Sequence, residues 1–232
     1  MDLSTAINID RQVLEFFNGS DSLFLDSLMV TLTSGLTWVP LYVALLYLVI
    51  KNNDTMAQIA LAVGCCLLCF FITEFVTEGI VKPMVARPRP GNDPEIMYIV
   101  DVVNERRGGK FSFFSAHASN TFGIAVFFCW LVRNKLLSWL MITWSLLNCY
   151  TRLYLGMHYP SDILVGIMFG ALIGSLAYLI YFLAFRTMTT KSNFVSSQFT
   201  KTGYSLIDID VVAWVLAATY CLVIIFAIIH QS

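Results

Sequence analysis

Charged side chains are scarce. Asp, Glu, Lys and Arg make up 12% of the 232 residues, against 58% hydrophobic, where a soluble domain carries roughly 25% charged. That excludes an ordinary soluble domain, and several apolar runs reach the roughly 18–20 residues that cross a bilayer. Excess positive charge is missing too: the net charge is −1, so no nucleic-acid partner is expected. Histidine occurs only three times, too few for a structural zinc site, and no metal or cofactor is expected. The six cysteines, Cys65, Cys66, Cys69, Cys129, Cys149 and Cys221, all lie in apolar runs, where a thiol packs as a small hydrophobe. A basic region and an early apolar core are absent from the N-terminus, which Asp2, Asp10, Arg11 and Glu15 interrupt; it does not read as a cleavable signal peptide.

What is present reads as an all-α integral membrane protein, a six-transmembrane-helix bundle forming a single membrane-embedded domain over 1–232. The spans fall at about 36–51, 55–81, 115–133, 136–153, 160–185 and 209–229. Before them, "INIDRQVLEFF" at 7–17 mixes Ile7, Val13, Leu14, Phe16 and Phe17 with charge, the pattern of an N-terminal interfacial helix. "SDSLFLDSLMVTLTS" is too short and too charged for a clean span and suits an entering half-helix from which the first span borrows length. Gly166, Gly170 and Gly174 recur every fourth residue in the fifth span, a face that lets a neighbouring helix approach closely. Lys51, Arg133, Lys135, Arg186, Lys191 and Lys201 collect on one side; the positive-inside bias makes that side cytoplasmic. The polar loop 82–114 and both termini then face outward. The sequence leaves monomer or dimer open.

Three clusters reach that outer face: Lys82, Arg87 and Arg89 in "KPMVARPRP", Ser115, Ala116 and His117 in "FSAH", and Arg152, His158 and Asp162 in "TRLYLGMHYPSDILVG". Phosphoryl transfer suits them. Lys82, Arg89 and Arg152 supply cations for phosphate oxygens. Ser115 and the amides around Ala116 stand at a helix start, which favours an anion. His158 and Asp162 are one helical turn apart and face each other if that helix begins at or before His158. A carboxylate on one imidazole nitrogen leaves the other free to attack phosphorus, and His117 is placed to protonate the leaving group. Glu78 is placed to neutralise or aim Lys82, and Glu74 to bond within the bundle.

Lys82-x6-Arg89-Pro90, Phe114-Ser115-Ala116-His117 and Thr151-Arg152-x5-His158-x3-Asp162 resemble the three signature motifs of the type 2 phosphatidic acid phosphatase superfamily. They span a core of 82–162. The second motif departs from the usual Pro-Ser-Gly-His at Phe114 and Ala116; alanine keeps the phosphate-binding amide. The third usually begins with serine, and Thr151 keeps the hydroxyl. The resemblance implies metal-independent hydrolysis of a phosphomonoester or diphosphate through a phosphohistidine at His158, with His117 as acid.

The expected protein is a multi-pass lipid phosphatase of a bacterial inner (plasma) membrane, its site on the periplasmic face. Its substrate is a phospholipid or polyprenyl diphosphate in the bilayer. Undecaprenyl diphosphate is favoured over phosphatidylglycerol phosphate and phosphatidic acid, because Arg87 with Arg106, Arg107 and Lys110 could hold its second phosphate. Arg87 reads equally as a supporting cation or an exposed loop residue, and the other three as a solvated charge run touching anionic head groups. A lipid A phosphatase and a lipid phosphotransferase using the same phosphohistidine are the alternatives.

Overall fold

The computed structural model describes residues 3–105, 108–188 and 197–230. Among them, eight helices reach ten residues or more: α1 (Leu3–Phe17), α2 (Leu23–Leu32), α3 (Val39–Lys51), α4 (Met56–Val85), α5 (Ala116–Val132), α6 (Lys135–Tyr154), α7 (Pro160–Met188) and α8 (Leu206–Ile229). Extended pairing among the described residues is limited to isolated bridges at Pro88–Phe111 and Phe199–Ser205.

Among the described residues α4, α7 and α8 are long and apolar enough to cross a membrane, and α2 with Gly35–Lys51, bent by 66°, makes a fourth if it is one broken span. α5 is apolar but 17 residues long. α6 has 20 residues but carries Lys135, Asn148, Thr151 and Arg152. The bend between α2 and α3 has a local cause: Thr37 Oγ1 and Trp38 Nε1 donate to the last carbonyls of α2, at Thr31 and Leu32 (2.6 and 2.9 Å). Those bonds satisfy carbonyls the helix leaves free while the chain turns.

Polar residues set the other ends. Thr55 and Gln58 form a reciprocal capping box at the start of α4, Ser115 caps α5 and Asn134 caps α6, each satisfying amides without intrahelical partners. α4 runs through a π-helical turn at Phe75–Val81, a distortion frequent at functional sites. It ends where Ala86 turns left-handed, φ 50°.

α5 and α7 pack backbone to backbone. A Cβ on Gly170 would stand 2.4 Å from the Ser119 carbonyl oxygen, and one on Gly174 2.4 Å from that of Gly123. The glycine face thus serves packing within the chain. Gly170→Ala is expected to force the helices apart, costing about 1–3 kcal/mol, read as a lower melting temperature in detergent.

Candidate active site

The ends of α4 and α6, the starts of α5 and α7, and the described parts of the loop between α4 and α5 meet at one end of the bundle. The Ser115 amide donates to the Asp162 carbonyl at 3.0 Å, joining α5 to α7, and the Arg152 carbonyl accepts from the amides of Met157 (3.0 Å) and His158 (3.4 Å). Arg89 donates from Nε to the Phe111 carbonyl (3.2 Å) and from Nη1 to that of Met157 (3.4 Å). Gly108, φ +69°, is needed beside it, because a Cβ there would lie 2.6 Å from Arg89 Nη1.

These bonds bring the three clusters together. His158 is 1% exposed, and the charges of Arg152, Arg89 and Lys82 all act on its ring. Lys82 is buried and paired with the half-exposed Glu78, four residues earlier. Arg152 donates from Nη1 to Thr33 Oγ1 at 2.7 Å, while its buried Nε has no hydrogen-bond partner among the described residues. His117 stands in the first turn of α5, partly exposed, with the Asn148 side chain beside its ring. Glu74 accepts from Asn120 Nδ2 at 2.6 Å, a bond within the bundle.

The helix carrying Asp162 begins at Pro160, after His158 rather than at or before it. Nδ1 of His158 lies 3.5 Å from Asp162 Oδ2, close enough for an ion pair but outside hydrogen-bond geometry. That same oxygen accepts from the Tyr159 amide at 3.0 Å. Nδ1 faces the carboxylate, so Nε2 is the nitrogen left for a substrate.

Arg87 is a supporting cation rather than a group free to meet substrate. Its guanidinium bonds Asp162 Oδ1, Ser161 Oγ and Asp10 Oδ2 at 2.8, 2.8 and 2.7 Å and lies 3.8 Å over the Tyr159 ring. Two carboxylates already occupy it, so it is not free to hold a second phosphate. Lys110 lies over the Phe111 ring; Arg106 and Arg107 fall outside the described residues. Asp10 is the contact sequence reasoning missed. Its only signal is its place one turn before Leu14, the buried face of an otherwise exposed helix.

Burial first, and then the positive charges of Arg152, Arg89 and Lys82, push the His158 imidazole well below its ordinary 6.5. The ring therefore stays neutral, and nucleophilic, as pH falls through that value. The acid limb of kcat/KM, corrected for substrate ionisation, is expected below pH 6.5. In the unfolded chain the same ring takes up its proton near 6.5. Below that pH the unfolded state binds more protons, so this contribution to stability is present above about 6.5 and lost as pH falls.

A family model described as the PAP2 superfamily matches residues 60–186, a stretch holding all three clusters but not α1. The chain is 42% identical over 175 residues to a Bacteroides thetaiotaomicron protein named lipid A 4'-phosphatase, covering 75% of this chain and 77% of that one. It is 30% identical over 178 residues to a Porphyromonas gingivalis protein of the same name, covering 77% and 75%. No solved structure matches the chain. The matched region takes in every histidine, arginine and lysine gathered around His158, and the chain belongs to the PAP2 superfamily and is a phosphatase, a hydrolase of phosphoric ester bonds.

Proposed function

We propose that the protein removes the 4'-phosphate of lipid A through a phosphohistidine at His158. The observation that carries the chemistry is a buried imidazole with a carboxylate on one nitrogen and three cations around it. In the first step Nε2 of His158 attacks phosphorus and the bond to the sugar oxygen breaks. His117 gives that oxygen its proton. Lys82, Arg89, Arg152 and the amides at the start of α5, capped by Ser115 and including that of Ala116, hold the phosphoryl oxygens as charge builds on them. Water then attacks the phosphohistidine, its proton passing to His117, and inorganic phosphate leaves. No step calls on a metal.

Two observations move the substrate from undecaprenyl diphosphate to lipid A. Both relatives carry the lipid A name, and Arg87, one of the cations expected to hold a second phosphate, is taken by Asp10 and Asp162. The whole of 1–232 forms one membrane-embedded unit in this reading. α2 with α3, then α4, α5, α6, α7 and α8 make six crossings of the bacterial inner membrane, and α1 lies along the interface. Charged loops at 51–54 and 133–136 face the cytoplasm, which puts His158 on the periplasmic side where the head group enters.

Purified protein in EDTA, given lipid A, undecaprenyl diphosphate and phosphatidic acid, tests this. The expected result is phosphate release with lipid A favoured by about 10²-fold or more in kcat/KM, and a product that keeps its other phosphate by mass spectrometry. Equal or better turnover of undecaprenyl diphosphate would overturn the substrate, and loss of activity in EDTA the metal-free mechanism.

A further inference from the structure

We infer that Asp10, on the N-terminal helix, is a positioning residue of the phosphatase site: through Arg87 it holds Asp162, and with it His158, in place. The inference rests on His158 as the nucleophile.

Asp10 is 9% exposed and accepts from three donors. Its Oδ2 takes Arg87 Nη2 at 2.7 Å and Ser161 Oγ at 2.6 Å, and its Oδ1 takes the Ser161 amide at 2.8 Å. Ser161 lies in the first turn of α7, where amides lack partners within the helix and a carboxylate is favoured by the helix dipole. Asp10 therefore caps, from a distant part of the chain, the helix that carries Asp162. Asp162 completes the cap by reaching back to the Tyr159 amide. Its other oxygen is held by Arg87.

A second fastening starts from the next residue of α1. Arg11 pairs with Asp93 (3.3 Å) and Glu95 (2.6 Å), and Asp93 accepts from the Tyr159 hydroxyl at 2.7 Å. Leu14, one turn further along α1, packs in a buried cluster with Ile96 and Tyr159. The N-terminal helix thus grips both Tyr159 and Ser161, which flank Pro160 and follow the nucleophile directly. The family match begins only at residue 60, so this grip comes from outside the matched region.

Charge gives the arrangement a catalytic consequence. Asp10, Arg87, Asp162 and His158 alternate in sign toward the imidazole. As His158 takes a phosphoryl group its ring becomes positive, and Asp162 stabilises that charge. Arg87 opposes it unless Asp10 neutralises the guanidinium. None of the contacts of Asp10 involves Lys82, Arg89 or Arg152, so its removal acts on kcat and leaves phosphate binding alone.

Asp10→Asn keeps the shape and removes the charge. We expect kcat to fall on the order of 10- to 100-fold, the cost of a small misplacement of reacting groups, with KM and the affinity for orthovanadate unchanged. Asp10→Glu should recover part of the loss, and Glu15→Gln, exposed on the same helix, should have wild-type kcat. Adding Asp10→Asn to Arg87→Gln should cost little more than Arg87→Gln alone. A helix tether without a catalytic role would lower the melting temperature while leaving kcat per folded molecule intact, and that result overturns the inference. If Asp10→Asn does not fold, Arg87→Gln decides: wild-type kcat there overturns the inference equally, and kcat loss at unchanged vanadate affinity supports it. Activity surviving in His158→Ala would instead remove the nucleophile on which this rests. An inactive His158→Ala beside a fully active Asp10→Asn removes only the positioning role of Asp10.

Discussion

His158→Ala is expected to cut phosphate release by roughly 10⁴-fold or more, as loss of a covalent nucleophile does elsewhere. The imidazole is almost fully enclosed, and among the described residues no other nucleophile is placed to take over: Ser115 is committed to capping α5, with its Oγ accepting from the Ala118 amide at 3.3 Å. Thr151 donates to the Asn148 carbonyl at 2.7 Å. The cations stay in place, so the variant should still bind orthovanadate, and more tightly if removing the ring opens space for it. Binding without turnover separates loss of the nucleophile from loss of the fold. Phosphate release within tenfold of wild type would remove the covalent route.

His117→Ala is the second large effect, and its size should depend on the leaving group. With the poorly leaving sugar alkoxide of lipid A, losing the acid should cost about 10²–10⁴-fold. With p-nitrophenyl phosphate, whose phenolate departs without a proton, the first step should be nearly spared. Release of nitrophenol would then show a burst followed by a slow phase, because in the proposed mechanism the water that resolves the phosphohistidine also needs His117. The helix start explains the placement: Ser115 ends the extended segment, and the next turn of α5 carries His117 beside Asn148 of α6. Equal losses with both substrates would show that His117 binds phosphate rather than moving a proton.

Much of this was legible in the sequence because apolar runs are bounded by residues with a single local role. The apolar run at 115–133 forms a helix, α5, Ala116–Val132, shorter than the expected span, closed at one end by Ser115 and followed at the other by Asn134, which caps α6. The three clusters were legible too, since each stands next to such a boundary. The pairing of Asp10 with Arg87 was not. The two are 77 residues apart in sequence, and nothing in either local pattern names the other. Arg87 therefore read as a supporting cation or an exposed loop residue, and the carboxylates that claim it could not be named. The break after α2 was legible as an entering half-helix ahead of the first span, but its 66° bend was not, nor was the π-helical turn at Phe75–Val81, because both depend on how the backbone bonds close. The glycine face of α7 was plain, but its partner, Ser119 and Gly123 of α5, was fixed only by how the helices meet.

The most direct measurement is a search for the covalent intermediate itself. His117→Ala protein, mixed with p-nitrophenyl phosphate in EDTA and quenched in alkali to preserve a phosphoramidate, is digested and sequenced by mass spectrometry. Phosphate on the imidazole of residue 158, absent when His158→Ala is added, is the expected result. A turning-over enzyme with no phosphorylated histidine, or with the label on another residue, would contradict it.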